Sequence, residues 1–405
     1  MGGETKSESL FDSTQKTFLQ QFSQIVERSK QLNILFGFDG FIDNIFQVLK
    51  KRYTLADYTI MEKITEFSER IAAAAGSSAN MEVILKKQTT GGFVANTCRG
   101  IASLQSFGGN ISMIGCFGTP EMDPLFTDLS VKKFNCTLTT IGIPGKTNAY
   151  EFNDGKIMIS EFTGVHKLTM ETILNGYGKE KLKNSIFRAD LFGIGYWSIG
   201  PHMTSIFKGL LDIMEELPQK ARKIKLFFDL ADVKKKPVED LRVAVNILRD
   251  FCETADVTVS VNDKEAESLA LSLDIEVLKN QDNTTKFEVV GENIHRRLDI
   301  TRFIIHSPKN AYGWLKRDSN SNEKAIIPQA YTSKAKFTTS AGDMFNSGLC
   351  VALLSDVPLE MALLMGNIMS AFFIRTGYAP SPKEFQIFLK NYRTYLSEDI
   401  TEIIQ

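Results

Sequence analysis

The stretch Thr338-Thr339-Ser340-Ala341-Gly342-Asp343, continuing into Met344-Phe345-Asn346-Ser347-Gly348, decides how the rest of the chain is interpreted. Small, flexible residues come first, then one carboxylate, and then an apolar pattern with helical spacing. This change predicts that Asp343 lies in the first turn of a helix, with the free N–H groups of residues 341–343 pointing outwards. Together with the positive end of the helix dipole, those N–H groups form a site for an anion such as a transferring phosphoryl group.

A carboxylate beside an anion site needs a reason, because like charges repel. Asp343 could take a proton from a hydroxyl that then attacks the phosphorus. Alternatively, it merely favours the helix dipole, as first-turn acids commonly do. We also expect the helix N-terminus to lower the pKa of this carboxyl and so make it a weak base. A weak base suffices in a loose transition state, where its main task is to align the hydroxyl.

Composition restricts the class of protein. The chain has 405 residues, of which 43% are hydrophobic and 23% charged, as in a soluble globular protein with a sizeable core. A net charge of −1 gives no reason to expect nucleic acid or an anionic membrane as a partner. The five cysteines contain no CxxC pair and the four histidines are scattered, so we expect neither disulfides nor zinc. Without a membrane-length apolar run or a signal peptide, the predicted location is cytoplasmic.

Strand-like and helix-like segments alternate along most of the chain, which predicts an α/β fold with a mostly parallel central sheet and helices on both faces. Residues 274–300 are polar and are interpreted as an irregular insertion. The predicted strands of the sheet are 34–38, 110–118, 191–199, 224–230, 257–261 and 303–306.

Residues 138–163 break this alternation. They indicate short strands with a hairpin turn at Asn153-Asp154-Gly155, since Asp-Gly between alternating strands is a strong hairpin signal. We expect a small β element that stands off the main sheet as a lid, roughly residues 136–165, with 43–60 as a further candidate segment. The sheet pattern runs through the whole chain, so 1–405 is predicted to be one domain with a protruding lid.

Two early segments carry candidate ligand groups. Asp39 and Asp43 follow the first strand, at the edge where α/β sheets place ligands, and a carboxylate there can accept hydrogen bonds from vicinal hydroxyls. Asp43 is the better candidate, and an ordinary turn is the alternative. Gly91 and Gly92 precede a helix and let backbone approach a ligand, while Asn96 adds a donor and an acceptor one turn later. A tight loop is the alternative for the two glycines.

Two other motifs fail. Gly145-Lys146-Thr147 ends like a phosphate-binding loop, but Thr140 occupies the position of the required first glycine and a hairpin follows instead of a helix. Gly37-Phe38-Asp39-Gly40 after the first strand is not GxGxxG, so a nicotinamide dehydrogenase is poorly supported.

Taken together, the motifs from Gly37 to about Gly377 resemble the ribokinase-like (PfkB) carbohydrate kinase family. The most specific match is residues 338–348, which look like the family's D-T-x-G-A-G-D-x-F motif. The resemblance implies a ribokinase-like three-layer sandwich. It also implies ATP-dependent phosphoryl transfer, assisted by Mg²⁺, to a hydroxymethyl group of a sugar or sugar-like alcohol. The expected partners are therefore a small-molecule sugar and a nucleotide, and hairpin lids in this family also suggest a homodimer formed through the lid.

The resemblance also implies residue roles. Asp343 would be the base, and Ser340, Ala341 and Gly342 would form the anion hole. The sugar side would be formed by Asp39, Asp43, Gly91, Gly92 and Asn96. In Asn262-Asp263-Lys264-Glu265, which is similar to the family's N-x-x-E motif, Asn262 and Glu265 would act on Mg²⁺ through water and on the phosphates. Ser307, Gly313 and Asn367 would line the nucleotide site. The alternatives are a turn residue for Asn262 and a solvated helical acid for Glu265.

The chain departs from the family pattern at two positions. Phe337 replaces the aspartate that opens the anion-hole motif, which leaves the use of a monovalent cation open. Ser340 replaces a glycine but still supplies a backbone N–H. Two alternative functions follow. A nucleoside kinase would need an aromatic shelf, for which Phe38, Phe41 and Phe46 are candidates, and a degenerate homologue would bind a ligand or partner without catalysis.

Overall fold

The computed structural model describes residues 6–129, 134–218, 222–278, 281–317 and 322–404. Within these ranges nine strands form one large sheet: β1 (Asn33–Phe38), β5 (Asn110–Gly115), β6 (Cys136–Thr140), β9 (Leu191–Ile194), β10 (Ile224–Asp229), β11 (Ala255–Asn262), β12 (Arg302–His306), β13 (Asn310–Lys316) and β14 (Asn322–Pro328). Their spatial order is β14-β13-β12-β11-β10-β9-β1-β5-β6. Neighbours from β12 to β6 are parallel, and β13 and β14 add an antiparallel hairpin at one edge.

The parallel strands are buried on both faces, which explains why they are continuous apolar runs. All six residues of β10 are buried, as are five of the six in β1. The covering helices are α1 (Lys6–Lys30), α3 (Phe93–Leu104), α4 (Pro124–Thr127), α5 (Thr163–His166), α6 (Met170–Tyr177), α7 (Lys179–Arg188), α8 (Met203–Glu215), α9 (Val238–Asp250), α10 (Asp263–Ser272), α11 (Asn283–Leu298), α12 (Ala341–Leu354), α13 (Leu359–Thr376), α14 (Pro382–Lys390) and α15 (Tyr392–Ser397). Helix α2 (Ile64–Ala73) instead packs through Phe67 against residues outside this sheet.

Two separate hydrophobic clusters show that helices cover both faces of the sheet. One cluster joins α1, α3 and α12 to α15, with side chains such as Phe22, Leu349 and Phe388. The other joins α5 to α11, with side chains such as Phe207 and Leu248. The predicted three-layer α/β arrangement is therefore confirmed.

A second sheet, here called the small sheet, stands off the large one. It consists of β2 (Phe41–Arg52), β3 (Tyr58–Ile60), β4 (Val83–Gly91), β7 (Gly145–Phe152) and β8 (Gly155–Glu161), in the order β3-β2-β7-β8, with β4 also paired to β2. The pairing of β2 with β4 shifts by one residue between Ile45 and Phe46, which leaves Lys86 as an extra residue in β4. The hairpin predicted at Asp154-Gly155 joins β7 to β8.

Three expectations need correction. The segment at 136–140 belongs to the large sheet as its edge strand β6, because it pairs in parallel with β5. Residues 83–91 form strand β4 of the small sheet, whereas the sequence analysis assigned no strand there. The supposed irregular insertion at 274–300 contains the 16-residue helix α11. Its buried residues Phe287, Val290, Ile294 and Leu298 are spaced by three or four, a helical pattern that the polar composition obscured.

Helix α13 is the one described helix that is long and apolar enough to cross a membrane. In the folded chain 78% of its apolar window is buried. A core helix passes the same test of length and composition, so this feature is weak evidence for a membrane segment.

Candidate active site

Helix α12 begins where the sequence predicts. The N-cap residue Ser340, just before the helix, has φ 67° and ψ 7°, in the left-handed region, and among the described residues no side chain caps the helix. The N–H of Ala341 makes only a long hydrogen bond of 3.4 Å to the carbonyl of Thr338. The backbone donors of this first turn are thus available to an incoming anion.

Gly342 in this turn faces the end of strand β12. A side-chain carbon at Gly342 would lie 3.1 Å from Cε1 of His306, a tight contact. The His306 ring stacks on Phe345, with ring centroids 4.8 Å apart. Burial lowers the pKa of His306 to about 4, so the ring is neutral near pH 7 and adds no positive charge beside the helix terminus.

Asp343 is held at both carboxylate oxygens. Tyr196 Oη donates to Oδ1 at 2.9 Å, and Asn96 Nδ2 donates to Oδ2 at 2.9 Å. Asn96 Nδ2 also lies 2.9 Å from Oγ of Ser340. Three segments that are far apart in sequence therefore fix one carboxylate at the start of α12.

The pKa of Asp343 differs from the sequence expectation. Burial raises it to about 7, against the lowering effect of the hydrogen bonds from Asn96 and Tyr196, with a smaller increase from the charge of Asp43. The lowered pKa predicted from the helix N-terminus alone is wrong. Asp343 is only 6% exposed, and the desolvation of its carboxylate has a larger effect on the pKa than the helix terminus. A carboxyl with this pKa is a better general base near neutral pH.

Asp39 lies behind this site and caps helix α3. Its oxygens accept hydrogen bonds from the backbone N–H groups of Phe93 at 2.8 Å and Val94 at 3.0 Å. Burial raises the pKa of Asp39 to about 7 despite these two bonds. Gly92, just before α3, has φ +91°, and a side-chain carbon there would lie 2.7 Å from the Phe41 ring, so glycine is required.

Asp43 lies on β2 of the small sheet rather than at the end of the first strand. Burial raises its pKa to about 6, while the charge of Lys156 and a hydrogen bond from Thr147 oppose the increase. Gly91 makes room for this carboxylate, because a side-chain carbon at Gly91 would lie 2.2 Å from Asp43 Oδ2. Glycine is therefore needed at both positions for different steric reasons, the Asp43 carboxylate at Gly91 and the Phe41 ring at Gly92.

A cavity of about 740 Å³ lies beside these groups. Asp43 and Thr89 from the small sheet line it, as do Asn96 and Ser340 from the starts of α3 and α12. Phe337 also lines the cavity and is 44% exposed, and a side-chain carbon at Gly377 would contact its ring at 2.9 Å. Asp43 and Asn96 therefore share one space with Ser340. Asp39, Gly91, Gly92, Ala341, Gly342 and Asp343 are not among the described residues that line it.

Asn262 and Glu265 form a reciprocal cap at the start of α10. Glu265 N–H donates to Asn262 Oδ1, and Asn262 N–H donates to Glu265 Oε2, both at 2.9 Å. Burial raises the pKa of Glu265, and the charges of Asp232 and Asp263 raise it further. No group of three His, Cys, Asp or Glu side chains suited to a metal occurs in the described part of the chain. The carboxylates and amide nevertheless fit Mg²⁺, which takes oxygen ligands and keeps several waters.

A buried polar network extends this side of the site. Asp229, the last residue of β10, accepts a hydrogen bond from Asn346 Nδ2 at 3.1 Å, and Ser260 Oγ donates to Asn346 Oδ1 at 2.8 Å. Burial raises the pKa of Asp229 well above its usual range, and the charges of Glu265 and Asp343 act in the same direction. These carboxyls repel one another when ionised, so a cation bound between them would stabilise their charged forms.

Three predicted nucleotide-site residues are not among those lining the described cavity. Ser307 Oγ accepts from the N–H of Asn310 at 3.1 Å and closes the turn between β12 and β13. Gly313 makes room for Leu359, since a side-chain carbon would lie 2.9 Å from its Cδ1. Asn367 is buried and its Nδ2 lies 3.2 Å from the carbonyls of Ile327 and Pro328. Their nucleotide roles stay predictions.

From the sequence, Tyr196 is interpreted as a core or rim residue, and Arg99 and Asp229 have no assigned role; in the structure Tyr196 holds the Asp343 carboxylate. Tyr196 and Asp229 follow or end parallel strands, so the rule that ligands bind at the carboxyl edge of such a sheet could have identified both. Arg99 lies three residues after Asn96 on α3, where spacing places both side chains on one helix face. Its hydrogen bond to Asn96 Oδ1, at 3.0 Å, is visible only in the structure.

Comparison with known proteins gives consistent results. The family model for prokaryotic ketohexokinase matches residues 10–392. A ketohexokinase from Haloferax volcanii is 28% identical over 375 residues, which cover 91% of this chain and 94% of that protein. The structure of a ribokinase from Thermotoga maritima aligns with a TM-score of 0.57 at 21% identity, over 89% of this chain and 100% of the other. A variant of phosphofructokinase-2 from Escherichia coli aligns with a TM-score of 0.60 at 15% identity, over 91% and 99%.

Proposed function

Because this chain belongs to the prokaryotic ketohexokinase family and is a carbohydrate kinase, we propose that it transfers the γ-phosphoryl group of ATP to a hydroxymethyl group of a ketohexose. The observation that carries the proposal is the shared cavity of Asp43, Asn96 and Ser340, with the Asp343 carboxylate hydrogen-bonded to Asn96 at its edge. A hydroxyl between Asp43 and Asp343 would lie beside both a base and an anion site.

Asp343 would accept the proton of the attacking hydroxyl. The raised pKa, about 7, suits this role because a base is most effective when its pKa lies near the working pH. The N–H groups of Ala341 and Gly342 would receive charge that develops on the transferring group, with Ser340 in the left-handed conformation that starts the turn. Tyr196 and Asn96 keep the carboxylate in one orientation, so little reorganisation is needed during reaction.

The sugar would be bound mainly from the small sheet. Asp43 lines the described cavity, and Gly91 leaves room for its carboxylate. This carboxylate can accept hydrogen bonds from two neighbouring hydroxyls. Asp39 contributes through the position of α3, because both of its oxygens are used by backbone N–H groups of that helix. We therefore assign Asp43 and Asn96 to direct contact with the sugar, and Asp39, Gly91 and Gly92 to its placement.

ATP and Mg²⁺ are proposed as the donor and its metal ion. Mg²⁺ would shield the negative charge of the phosphates, and Asn262 and Glu265 would hold it through water, with Asp229 and Asp232 nearby. Ser307, Gly313 and Asn367 are proposed to shape the nucleotide site through the turn and the packing that they maintain.

The small sheet is proposed to act as a lid over the sugar, and to form a homodimer contact. Its edge strand β8 exposes Met158 and Ile159, and unpaired strand edges readily pair with another chain. A cytoplasmic location is supported by the five cysteines, all of which are free thiols.

The two alternative functions are not favoured. Phe38 and Phe41 are buried, and Phe46 stacks on Tyr150. None of the three is among the described residues that line the cavity, where a nucleobase would need an aromatic shelf. A degenerate homologue would not need a buried carboxylate oriented by two donors beside an uncapped helix terminus.

An acceptor screen tests the proposed function. The purified protein is incubated with ATP and Mg²⁺ and, in turn, with ketohexoses, aldohexoses and nucleosides, and ADP release is measured. We expect turnover with a ketohexose and a higher kcat/KM than with any aldohexose or nucleoside. ADP release with none of the sugars, or a preference for nucleosides, would contradict the proposal.

A further inference from the structure

We propose that Arg99 is a positioning residue for phosphoryl transfer. It would fix the side-chain amide of Asn96, and through it the carboxylate of Asp343, and would tie both to strand β4 of the small sheet. This inference rests on the proposed function for its kinetic tests, and it names a residue that the family resemblance did not assign.

The hydrogen bonds form a continuous chain of side chains. Arg99 donates through Nη1 to Asn96 Oδ1 at 3.0 Å and through Nη2 to the hydroxyl of Thr90. Asn96 Nδ2 then donates to Asp343 Oδ2 at 2.9 Å and lies at the same distance from Ser340 Oγ. Thr90 is paired with Ile42, the neighbour of Asp43, across β4 and β2. The guanidinium therefore connects the small sheet, which carries Asp43 on β2, with the carboxylate of Asp343.

The donor and acceptor inventory explains why an arginine is informative here. A guanidinium has only donors, so the side of the Asn96 amide that faces Arg99 must be its oxygen. The nitrogen must then face Asp343 and Ser340, where a carboxylate needs a donor. An ionised Asp343 already favours this orientation, but a protonated Asp343 can donate to the amide oxygen, so without Arg99 the amide could then rotate by half a turn. One residue thus selects the useful orientation of Asn96.

Arg99 is half-buried in the cavity wall, which argues against a casual surface contact. Burial lowers the pKa of this guanidinium, while the nearby charges of Asp128, Asp343 and Asp43 raise it. An arginine stays charged under these conditions, and burying a charge is unfavourable unless it is well paired and hydrogen-bonded. The planar fork meets two acceptors in different directions at once, which a lysine ammonium does not reproduce with the same geometry.

The kinetic test compares Arg99→Met and Arg99→Lys with the wild type. Hydrogen bonds that involve charged groups support an expected loss of about 10- to 100-fold in kcat for Arg99→Met, with the KM values for sugar and ATP nearly unchanged. Arg99→Lys should recover only part of the loss. Arg249→Met is the matched control, because Arg249 is half-buried on α9, away from the cavity, and contacts Asn246 and the Arg297 carbonyl. A raised sugar KM with unchanged kcat would overturn the proposal, since Arg99 would then bind sugar directly.

Two further measurements separate positioning from a merely structural role. Arg99→Ala should regain activity with added guanidinium but not with an equal concentration of ammonium, because the cavity lined by Arg99 is open to small solutes. In the Asn96→Ala background, Arg99→Met should cause little further loss of kcat, because the residues act through one another. Absence of guanidinium rescue, or additive losses in the double variant, would contradict the relay.

A structural readout keeps this inference distinct from the proposed function. If the wild type phosphorylates no ketohexose, the proposed function fails. Neutron crystal structures of the wild type and of Arg99→Met, which distinguish the amide nitrogen from its oxygen, would then still test Arg99. A rotated Asn96 amide in Arg99→Met supports the proposal, and an unchanged Asn96–Asp343 contact overturns it.

Discussion

The helices α10 and α12 both start at the carboxyl edge of the large sheet, yet their N-termini differ. At α10, Asn262 and Glu265 satisfy each other's backbone N–H groups at 2.9 Å. At α12, no described side chain caps the helix, and its first-turn acid Asp343 is held instead by Tyr196 and Asn96 from other segments. One terminus is complete in the free protein, and the other has donors left for a ligand.

This difference shows that a motif's hydrogen bonds alone do not reveal a site. Ser381 and Glu384 make the same reciprocal cap at the start of α14. Glu265 differs from Glu384 in its surroundings, because Asp232, Asp263 and Asp229 place further negative charge beside it. A cap surrounded by acidic side chains attracts a cation, whereas an isolated cap only stabilises its helix.

The largest effect on activity is expected from removing the charge of Asp343 at the uncapped N-terminus of α12. Asp343→Asn should lower kcat by about 10²- to 10⁴-fold, the usual contribution of a general base, while the Kd for nucleotide stays nearly unchanged. Steady-state kinetics and calorimetry measure the two quantities. Glu360→Gln, which changes a first-turn acid of α13, is the control and should retain activity. Wild-type turnover in Asp343→Asn would show that the acid only favours the helix dipole.

A second substitution leaves both helix termini intact and displaces the opposite wall. In Gly91→Ala the new methyl group would overlap Asp43 Oδ2, 2.2 Å away, and push the carboxylate from its position. The loss of hydrogen bonds to a charged group is expected to raise the sugar KM by about 10- to 100-fold. Gly108→Ala is the control, since its new carbon would make an ordinary contact of 3.5 Å. An unchanged sugar KM would remove Asp43 from the substrate site.

The capped N-terminus of α10 is tested by making the same substitution there and at the equivalent cap of α14. Glu384→Gln should lower the free energy of unfolding by about 1 kcal/mol through the weakened cap. Glu265→Gln should lower it less, because the neutral amide also removes repulsion from Asp232 and Asp263. Only Glu265→Gln should raise the Mg²⁺ concentration needed for half-maximal activity, by about tenfold. Chemical denaturation and Mg²⁺ titration of activity provide the measurements. Equal Mg²⁺ dependence in the two variants would mean that Asn262 and Glu265 serve α10 alone.

The smallest effect concerns pH. Because burial raises the pKa of Asp343 to about 7, the base becomes protonated as the pH falls through 7. We expect kcat/KM to fall about fivefold between pH 7 and pH 6, and the residual activity of Asp343→Asn to lack this dependence. A flat profile down to pH 5 would show that the carboxyl titrates in its ordinary range.

The same raised pKa has a consequence for stability with the opposite sign to the usual one. Between about pH 4 and pH 7 the folded protein holds a proton on Asp343 that the unfolded chain has released, so the free energy of unfolding falls as pH rises through this window. Replacing the carboxyl with a neutral amide removes the effect. The stability of Asp343→Asn relative to wild type should therefore increase from pH 4 to pH 7 in denaturant titrations.

The sequence predicted the parts of the protein that depend on local patterns. The start of α12 is one example, because small residues, an acid and an apolar helix follow one another directly. The resemblance to the ribokinase-like family and the three-layer fold are also confirmed. What escaped prediction depends on contacts between distant segments. Tyr196 and Asp343 are 147 residues apart, and the pKa of Asp343 depends on burial that the whole fold creates.

The small sheet was predicted less well than the large one. Strand β4 exposes the middle of its run of residues, so it shows no alternation of apolar and polar side chains. Strand β6 was placed in the lid because it directly precedes the β7–β8 hairpin in sequence. Only its parallel pairing with β5 assigns it to the large sheet. Such pairings join segments that a scan along the chain treats as unrelated.

The extra residue Lys86 in β4 has a consequence for how this enzyme can change. A one-residue insertion in a regular strand turns every later side chain to the opposite face, but an irregularity already present can absorb such a slip. An insertion or deletion in β4 before Lys86 can therefore be absorbed there, without changing the register at which Asp43 pairs with Thr89. Changes in length at the outer rim, Val83–Leu85, should therefore leave the orientation of the Asp43 carboxylate unchanged.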